Sequence, residues 1–222
     1  SWMQTPQGFR VGENGLLYPT NWIQIVFNPS FPYRFAHMTI AAYLTTAFVV
    51  GGIGAYYLWR KRHVKHARIM FGMAMLMAVF IAPLQPVIGD LQIPKLSSLI
   101  LTHDLNGEVK GLKQWPKDER PPVAWVFWSF RVMVGIGILM VLTGIFAAVL
   151  FWRKKLFDTR WFQYWCMALT PSGFVAVLAG WFVTEIGRQP YVAYGVLRTT
   201  DSVSPVIGPQ VALSLLAFII VY

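Results

Sequence analysis

Gly180-Trp181-Phe182-Val183-Thr184-Glu185-Ile186-Gly187-Arg188-Gln189-Pro190-Tyr191 is the stretch whose reading decides the fold. An apolar run takes in one carboxylate, and Gly187, Arg188 and Pro190 then end it within a turn. Upstream, Trp161 to Trp181 carries no charged side chain. Such a run reads as a membrane-spanning helix, with Glu185 at or just inside the edge of the hydrocarbon slab. An acid there costs on the order of a few kcal/mol unless something compensates it. The rest of the chain has to supply the reason for Glu185.

Composition supports a membrane setting. The 222 residues are 56% hydrophobic and 16% aromatic but only 13% charged, a balance suited to a bilayer and not to water. With 19 Lys and Arg against 9 acids the formal charge is +10. The bases lie in short clusters flanking apolar segments, as on cytoplasmic loops of membrane proteins, which argues against nucleic acid as a partner. Cys166 stands alone in an apolar segment, so no disulfide framework or thiolate cluster forms within the chain, and helix packing is its expected role. Ser1 is not a natural start, Ser1 to Gly8 lacks a signal-peptide pattern, and Tyr222 falls inside an apolar run. The sequence reads as a piece of a longer membrane protein.

The expected architecture is all-α, a polytopic transmembrane helix bundle. Residues 1–32, rich in Gly, Pro, Asn and aromatics, form an outer loop with room for a short interfacial helix. Residues 33–89 form a helix pair: Tyr33–Trp59, the basic turn Arg60–Arg68, then Ile69–Ile88 with a kink expected at Pro83 and Pro86. Residues 90–122 are a hydrophilic outer loop carrying Asp104, Glu108, Lys110 and Lys113. Residues 123–187 form a second pair: Val123–Trp152 closed by Arg153-Lys154-Lys155, then a span opened by Arg160 that runs to about Ile186. An outer loop, 188–208, precedes a last helix over 209–222, with Pro209 in its first turn and the chain end truncating it. Both basic turns are short and should face the cytoplasm; their agreement in parity puts the loops and the Glu185 end on the opposite, outer side.

With that orientation three potential iron ligands share a depth. His37 lies about one turn into the first span, Met133 two or three turns into the third, and Glu185 near the outer end of the fourth. His37 is the one histidine inside a span. Arg34, Arg131 and Arg188 each stand within three residues of one of these side chains, where a cation can neutralise anionic groups such as haem propionates. Each residue also has a plainer reading: His37 as an interfacial hydrogen-bonding residue, Met133 as helix filler, Glu185 with Arg188 as an i,i+3 ion pair, and Trp181 as part of an aromatic belt. Spacing leaves these alternatives open.

Ser1-Trp2-Met3-Gln4-Thr5-Pro6, Phe35-Ala36-His37, Gly107-Glu108-Val109-Lys110-Gly111-Leu112, Phe130-Arg131-Val132-Met133 and above all Gly180 to Pro190 resemble subunit I of cytochrome bd-type quinol oxidases, closest to the cyanide-insensitive branch. The resemblance runs through nearly the whole chain, and its last motif is the most specific. It implies a multi-pass oxidase of the bacterial cytoplasmic (inner) membrane that passes electrons from quinol through b haems to an oxygen-reducing haem. His37 and Met133 match the axial pair of a low-spin haem b; that ligation fills both axial sites and raises the potential. Glu185 matches the carboxylate at the iron of a high-spin haem b. Arg131, Arg188 and Trp181 match residues near the haems. The third haem, d or a third b, takes its ligand from outside this chain. The implied partners are oxidase subunit II, with or without a small accessory subunit, together with membrane lipid, quinol and dioxygen.

Two departures limit that correspondence. The family's N-terminal helices, with the oxygen-side histidine and the acids of a proton path, are missing. Leu91-Gln92 meets Ile93-Pro94 where the family has a longer segment bearing quinol-site residues, so no catalytic base for quinol is assigned. Two other function classes stay in view. A proton- or ion-coupled transporter would use Glu185 as its intramembrane carboxylate but should show inverted repeats, and none is evident. A non-catalytic scaffold would need Glu185 only as half of a structural pair.

Overall fold

A long apolar helix needs a firm stop, and here cations provide it twice. The computed structural model of the chain describes residues 2–13, 16–84, 116–202 and 208–221. In it α1 (Trp22–Val26) is a short helix in the N-terminal region, followed by the 29-residue α2 (Phe31–Trp59), which carries proline in its first turn. α3 (Val64–Ile81) returns after four residues, and α4 (Val123–Trp152) runs for 30 residues. At about 1.5 Å per residue α2 and α4 each reach roughly 44 Å, longer than a hydrocarbon core of about 30 Å. Both end in the same cap. The Arg62 N–H returns to the Tyr57 carbonyl at 3.0 Å and the Lys155 N–H to Leu150 at 2.9 Å. Lys61 and Lys154 take the left-handed position, with φ of 54° and 55°. Glycine usually fills that place; here a lysine beside the last carbonyls complements the helix dipole.

The second pair differs in detail from the sequence reading. Arg160–Gly187 is apolar and long enough to cross a membrane as one span, yet it is two helices, α5 (Arg160–Ala168) and α6 (Ser172–Gly187). Pro171 is the cause: it has no N–H to donate and its ring crowds the carbonyl four residues earlier. The Met167 carbonyl, which Pro171 cannot serve, accepts the Thr170 N–H at 3.2 Å, and local hydroxyls also bond carbonyls at the break, Ser172 Oγ donating to Leu169 at 2.6 Å and Thr170 Oγ1 to Cys166 at 3.4 Å. α3 ends at Ile81, before Pro83, where a kinked continuation was expected; Pro86 and residues 90–115 of the polar loop, including the Gln92–Ile93 junction, lie outside the described residues. The last described helix, α7, is Gly208–Val221.

The spans form a four-sided bundle: α2 packs on α3, α3 on α4, α4 on α6, and α6 back on α2, with α5 also against α2. α2 and α4 are therefore diagonal. Small residues let the backbones approach: a Cβ on Gly144 would stand 2.8 Å from the Ala78 carbonyl oxygen, and one on Gly173 would stand 2.6 Å from Thr45 Cα. The buried core is concentrated toward the basic turns. There Ala55, Leu58, Ala67, Phe71, Met75, Ala147, Leu156, Phe162 and Cys166 form one cluster, and Arg68 reaches Asp158 at 3.7 Å between the two turns. A second cluster, with Leu44, Phe48, Ala78, Met140 and Leu169, lies one layer further along. The first buried side chain of α2 is Leu44 and that of α4 is Met140, so the helix ends away from the basic turns are packed less tightly.

At that end, opposite the basic turns, short segments gather. A hairpin of β1 (Phe9–Val11) and β2 (Leu17–Pro19) precedes α1. A second hairpin, β3 (Tyr191–Ala193) and β4 (Leu197–Arg198), follows α6. Arg198 meets Glu119 at 3.4 Å, tying this hairpin to the chain entering α4.

Candidate functional site opposite the basic turns

The Glu185 motif closes α6 and is covered by the start of the chain. Gln4 Nε2 donates to the Thr184 carbonyl at 3.3 Å, the Tyr194 N–H donates to the Met3 carbonyl at 2.8 Å, and Arg188 Nη1 reaches Met3 Sδ at 3.2 Å. The other arm of Arg188 forms an ion pair with Glu185. The Arg188 side chain is only 10% exposed and that of Glu185 38%. Two polar atoms here are buried without a partner among the described residues, Arg188 Nε and Gln4 Oε1. An unpaired buried donor or acceptor costs about 1–3 kcal/mol, so the site favours a further polar group.

Gln4, Arg34, Val183, Thr184, Gly187, Arg188 and Tyr194 line a cavity of ≈ 310 Å³. Two guanidinium groups, one on α2 and one at the C-cap of α6, thus share one space with a single carboxylate beside it. Arg34 forms no ion pair among the described residues. The local balance is one positive charge in excess, the electrostatics of an anion site. A second cavity of ≈ 310 Å³, lined by Gly52, Ile53, Tyr56, Tyr57, Met167 and Thr170, is apolar and offers no comparable chemistry.

The other candidate residues fall around this centre. His37 is half-buried on α2, one turn inward from Arg34. Met133 is half-buried on α4, its sulfur pressed against α6 at Gly180: a Cβ there would stand 2.9 Å from Sδ. Gly180 precedes Glu185 by five residues, so Met133 meets α6 roughly 7.5 Å deeper than the carboxylate. The structure thus brings Met133 to the Glu185 helix and Arg34 to Arg188. Arg131 is turned elsewhere: its guanidinium lies 3.2 Å from the Phe127 ring centroid and donates to the Phe127 carbonyl at 3.4 Å. Trp181 is 58% exposed and stacks obliquely with Phe182 at 5.9 Å.

Sequence reasoning missed Gln4 and Tyr194 as parts of this region, and missed that Gly180 meets Met133. Gln4 lies in a stretch already quoted for its resemblance, but its contact with Thr184 spans 180 residues and leaves no local signal.

The profile of the cytochrome bd terminal oxidase subunit I family matches residues 1–92 and 90–222, two pieces that meet where the sequence departs from the family's pattern. Cytochrome bd ubiquinol oxidase subunit 1 of Bacillus subtilis (strain 168) is 29% identical over 278 residues, covering 100% of this chain and 59% of that protein. Cytochrome bd-II ubiquinol oxidase subunit 1 of Escherichia coli (strain K12) is 25% identical over 333 residues, covering 100% of this chain and 65% of that one. The solved bd oxidase from Geobacillus thermodenitrificans superposes with a TM-score of 0.80 at 26% identity, over 98% of this chain and 60% of that chain. The chain spans about three-fifths of the length of these relatives. With the profile matched along both pieces and the bundle shared, the chain belongs to the cytochrome bd terminal oxidase subunit I family.

Proposed function

We propose that this chain is the haem-bearing part of a quinol:dioxygen oxidoreductase in the bacterial cytoplasmic membrane, working with oxidase subunit II, with or without a small accessory subunit. The observation that carries the reading is the placement of His37 and Met133 on diagonal helices, with Glu185 on the helix between them. His37 and Met133 would hold a haem between these two helices, and it would supply one-electron chemistry there.

The residues suit haem better than a bare ion. Among the described residues no three His, Cys, Asp or Glu gather into an ion-holding group, whereas a haem needs only one or two protein donors per iron. An imidazole and a thioether are the donor pair of electron-transfer b and c haems. The surplus guanidinium and the orphaned Arg188 Nε suit carboxylate side chains on the ring edge.

In this reading His37 and Met133 hold the low-spin haem b, and Glu185 supplies a carboxylate to the high-spin haem b. Arg188 orients Glu185 through their ion pair, while Arg34 and Arg188 offer charge to the haem carboxylates. Trp181 lies beside the cofactor in the assembled complex. Bound haem supplies reversible one-electron chemistry between quinol and dioxygen. The third haem, d or b, is held from outside this chain. Residues 33–89 and 123–187 act as membrane-crossing pairs, and residues 90–122 as part of the quinol loop.

Substitution in the full-length complex tests this. His37→Ala and Met133→Ala should each abolish the low-spin b signal in the reduced-minus-oxidised spectrum while assembly persists in part. An unchanged spectrum in both variants sinks the ligand assignment, and a colourless complex sinks the haem reading in favour of a transporter or scaffold.

A further inference from the structure

Met133 Sδ stands where a Cβ on Gly180 would be 2.9 Å away, with Met133 Cγ at 3.9 Å. That is well inside the usual contact of about 3.5–4 Å between heavy atoms. The close glycines of the bundle differ in what they meet. Gly144 and Gly173 face backbone atoms of Ala78 and Thr45, which cannot move without shifting a helix. Gly180 faces only the far end of a flexible side chain. Methionine has three rotatable bonds and repacks easily, so packing alone would accept alanine at 180. Helix propensity would even favour it, by roughly 0.5–1 kcal/mol. Glycine at 180 leaves room for the Met133 sulfur to lie against the α6 backbone.

We propose that Gly180 is a positioning residue for the Met133 thioether: its missing side chain is the seat that would keep the sulfur where it can serve as a haem ligand. The proposal rests on the reading of Met133 as an iron ligand. It adds that the ligand's geometry is set by the helix carrying Glu185, so the site of one haem is built from the backbone that serves the other.

The experiment uses the full-length haem-loaded complex with Gly180→Ala, Met133→Leu and the double variant. Haem content, the reduced-minus-oxidised spectrum, the midpoint potential of the low-spin haem and its binding of carbon monoxide are measured. Gly180→Ala should keep its haem through His37, yet lower the potential and open the low-spin haem to carbon monoxide, in the same direction as Met133→Leu. In the Met133→Leu background, Gly180→Ala should add nothing further.

A Gly180→Ala complex with unchanged potential and no carbon monoxide binding at that haem overturns the proposal. So does an additive effect in the double variant. Failure of Gly180→Ala to assemble overturns it too, because the seat would then be a packing requirement. If Met133→Leu itself leaves the spectrum and potential unchanged, it is the ligand reading that fails, and the proposal falls with it.

Discussion

Arg188 and Glu185 form an ion pair across one turn at the end of α6, and they are unequally buried, with side-chain exposures of 10% and 38%. Breaking the pair from either side is therefore not equivalent. Removing the acid strands a buried guanidinium whose Nε already lacks a partner. Removing the arginine leaves a carboxylate that water can reach. Glu185→Ala should destabilise the full complex more than Arg188→Ala, by on the order of 1 kcal/mol, read by thermal unfolding in detergent. Equal losses would mean that the pair is fully solvated in the complex. In the same samples Glu185→Ala should disturb the oxygen-side haem signals and lower oxygen consumption, and normal consumption would count against its role at the iron.

Arg34 supplies the charge that Glu185 does not balance. A cation close to a haem disfavours the oxidised, more positive iron, so its loss makes oxidation easier. Arg34→Gln should lower the midpoint potential of a b haem in a redox titration, while Arg34→Lys, which keeps the charge, should hold it near the wild-type value. If both variants titrate like the wild type, the Arg34 side of the cavity does not face the haem.

How much of this was readable beforehand depended on whether the signal was local. The 29- and 30-residue helices α2 and α4 announce themselves by length and apolarity. The two basic turns announce which end they share, and Arg68 does meet Asp158 across them. Pro171 stands in the sequence too, but the span from Arg160 to about Ile186 is read from length and lack of charge alone. The candidate site was legible only as separate points. Nothing in a 3.6-residue period says that Gly180 meets a side chain while Gly173 meets a backbone, or that Met3 and Gln4 return to cover Arg188 and Thr184. Those relations belong to tertiary packing, and Arg34 and Arg188 become one cavity only through it.

The glycines give a paired test of that packing. A Cβ on Gly173 would lie 2.6 Å from Thr45 Cα, while one on Gly137 has nothing within 4 Å. Gly173→Ala should force α2 and α6 apart, costing about 1–3 kcal/mol as overpacking does. Gly137→Ala should be neutral or stabilising by up to about 1 kcal/mol. Thermal midpoints of the two purified variants decide it, and a Gly173→Ala complex as stable as wild type would refute the close α2–α6 approach.

The orientation of the bundle can be checked with the chain's single thiol out of the way. Cys166 is 1% exposed in the inner core cluster, so a membrane-impermeant maleimide should pass it by in the folded complex. Lys61 and Lys154 lie exposed on the two basic turns, and Lys117 and Asp201 lie exposed at the opposite end. Positive charge retained on the cytoplasmic side places the first two inside. Lys117→Cys and Asp201→Cys should therefore react in intact spheroplasts, whereas Lys61→Cys and Lys154→Cys should react only in inverted vesicles. The strength of the test is that four positions on four separate segments have to agree. Labelling of Lys61→Cys from outside would invert α2 and α3, carry Glu185 and Arg188 to the cytoplasmic face, and move any quinol chemistry at that end to the other side of the membrane.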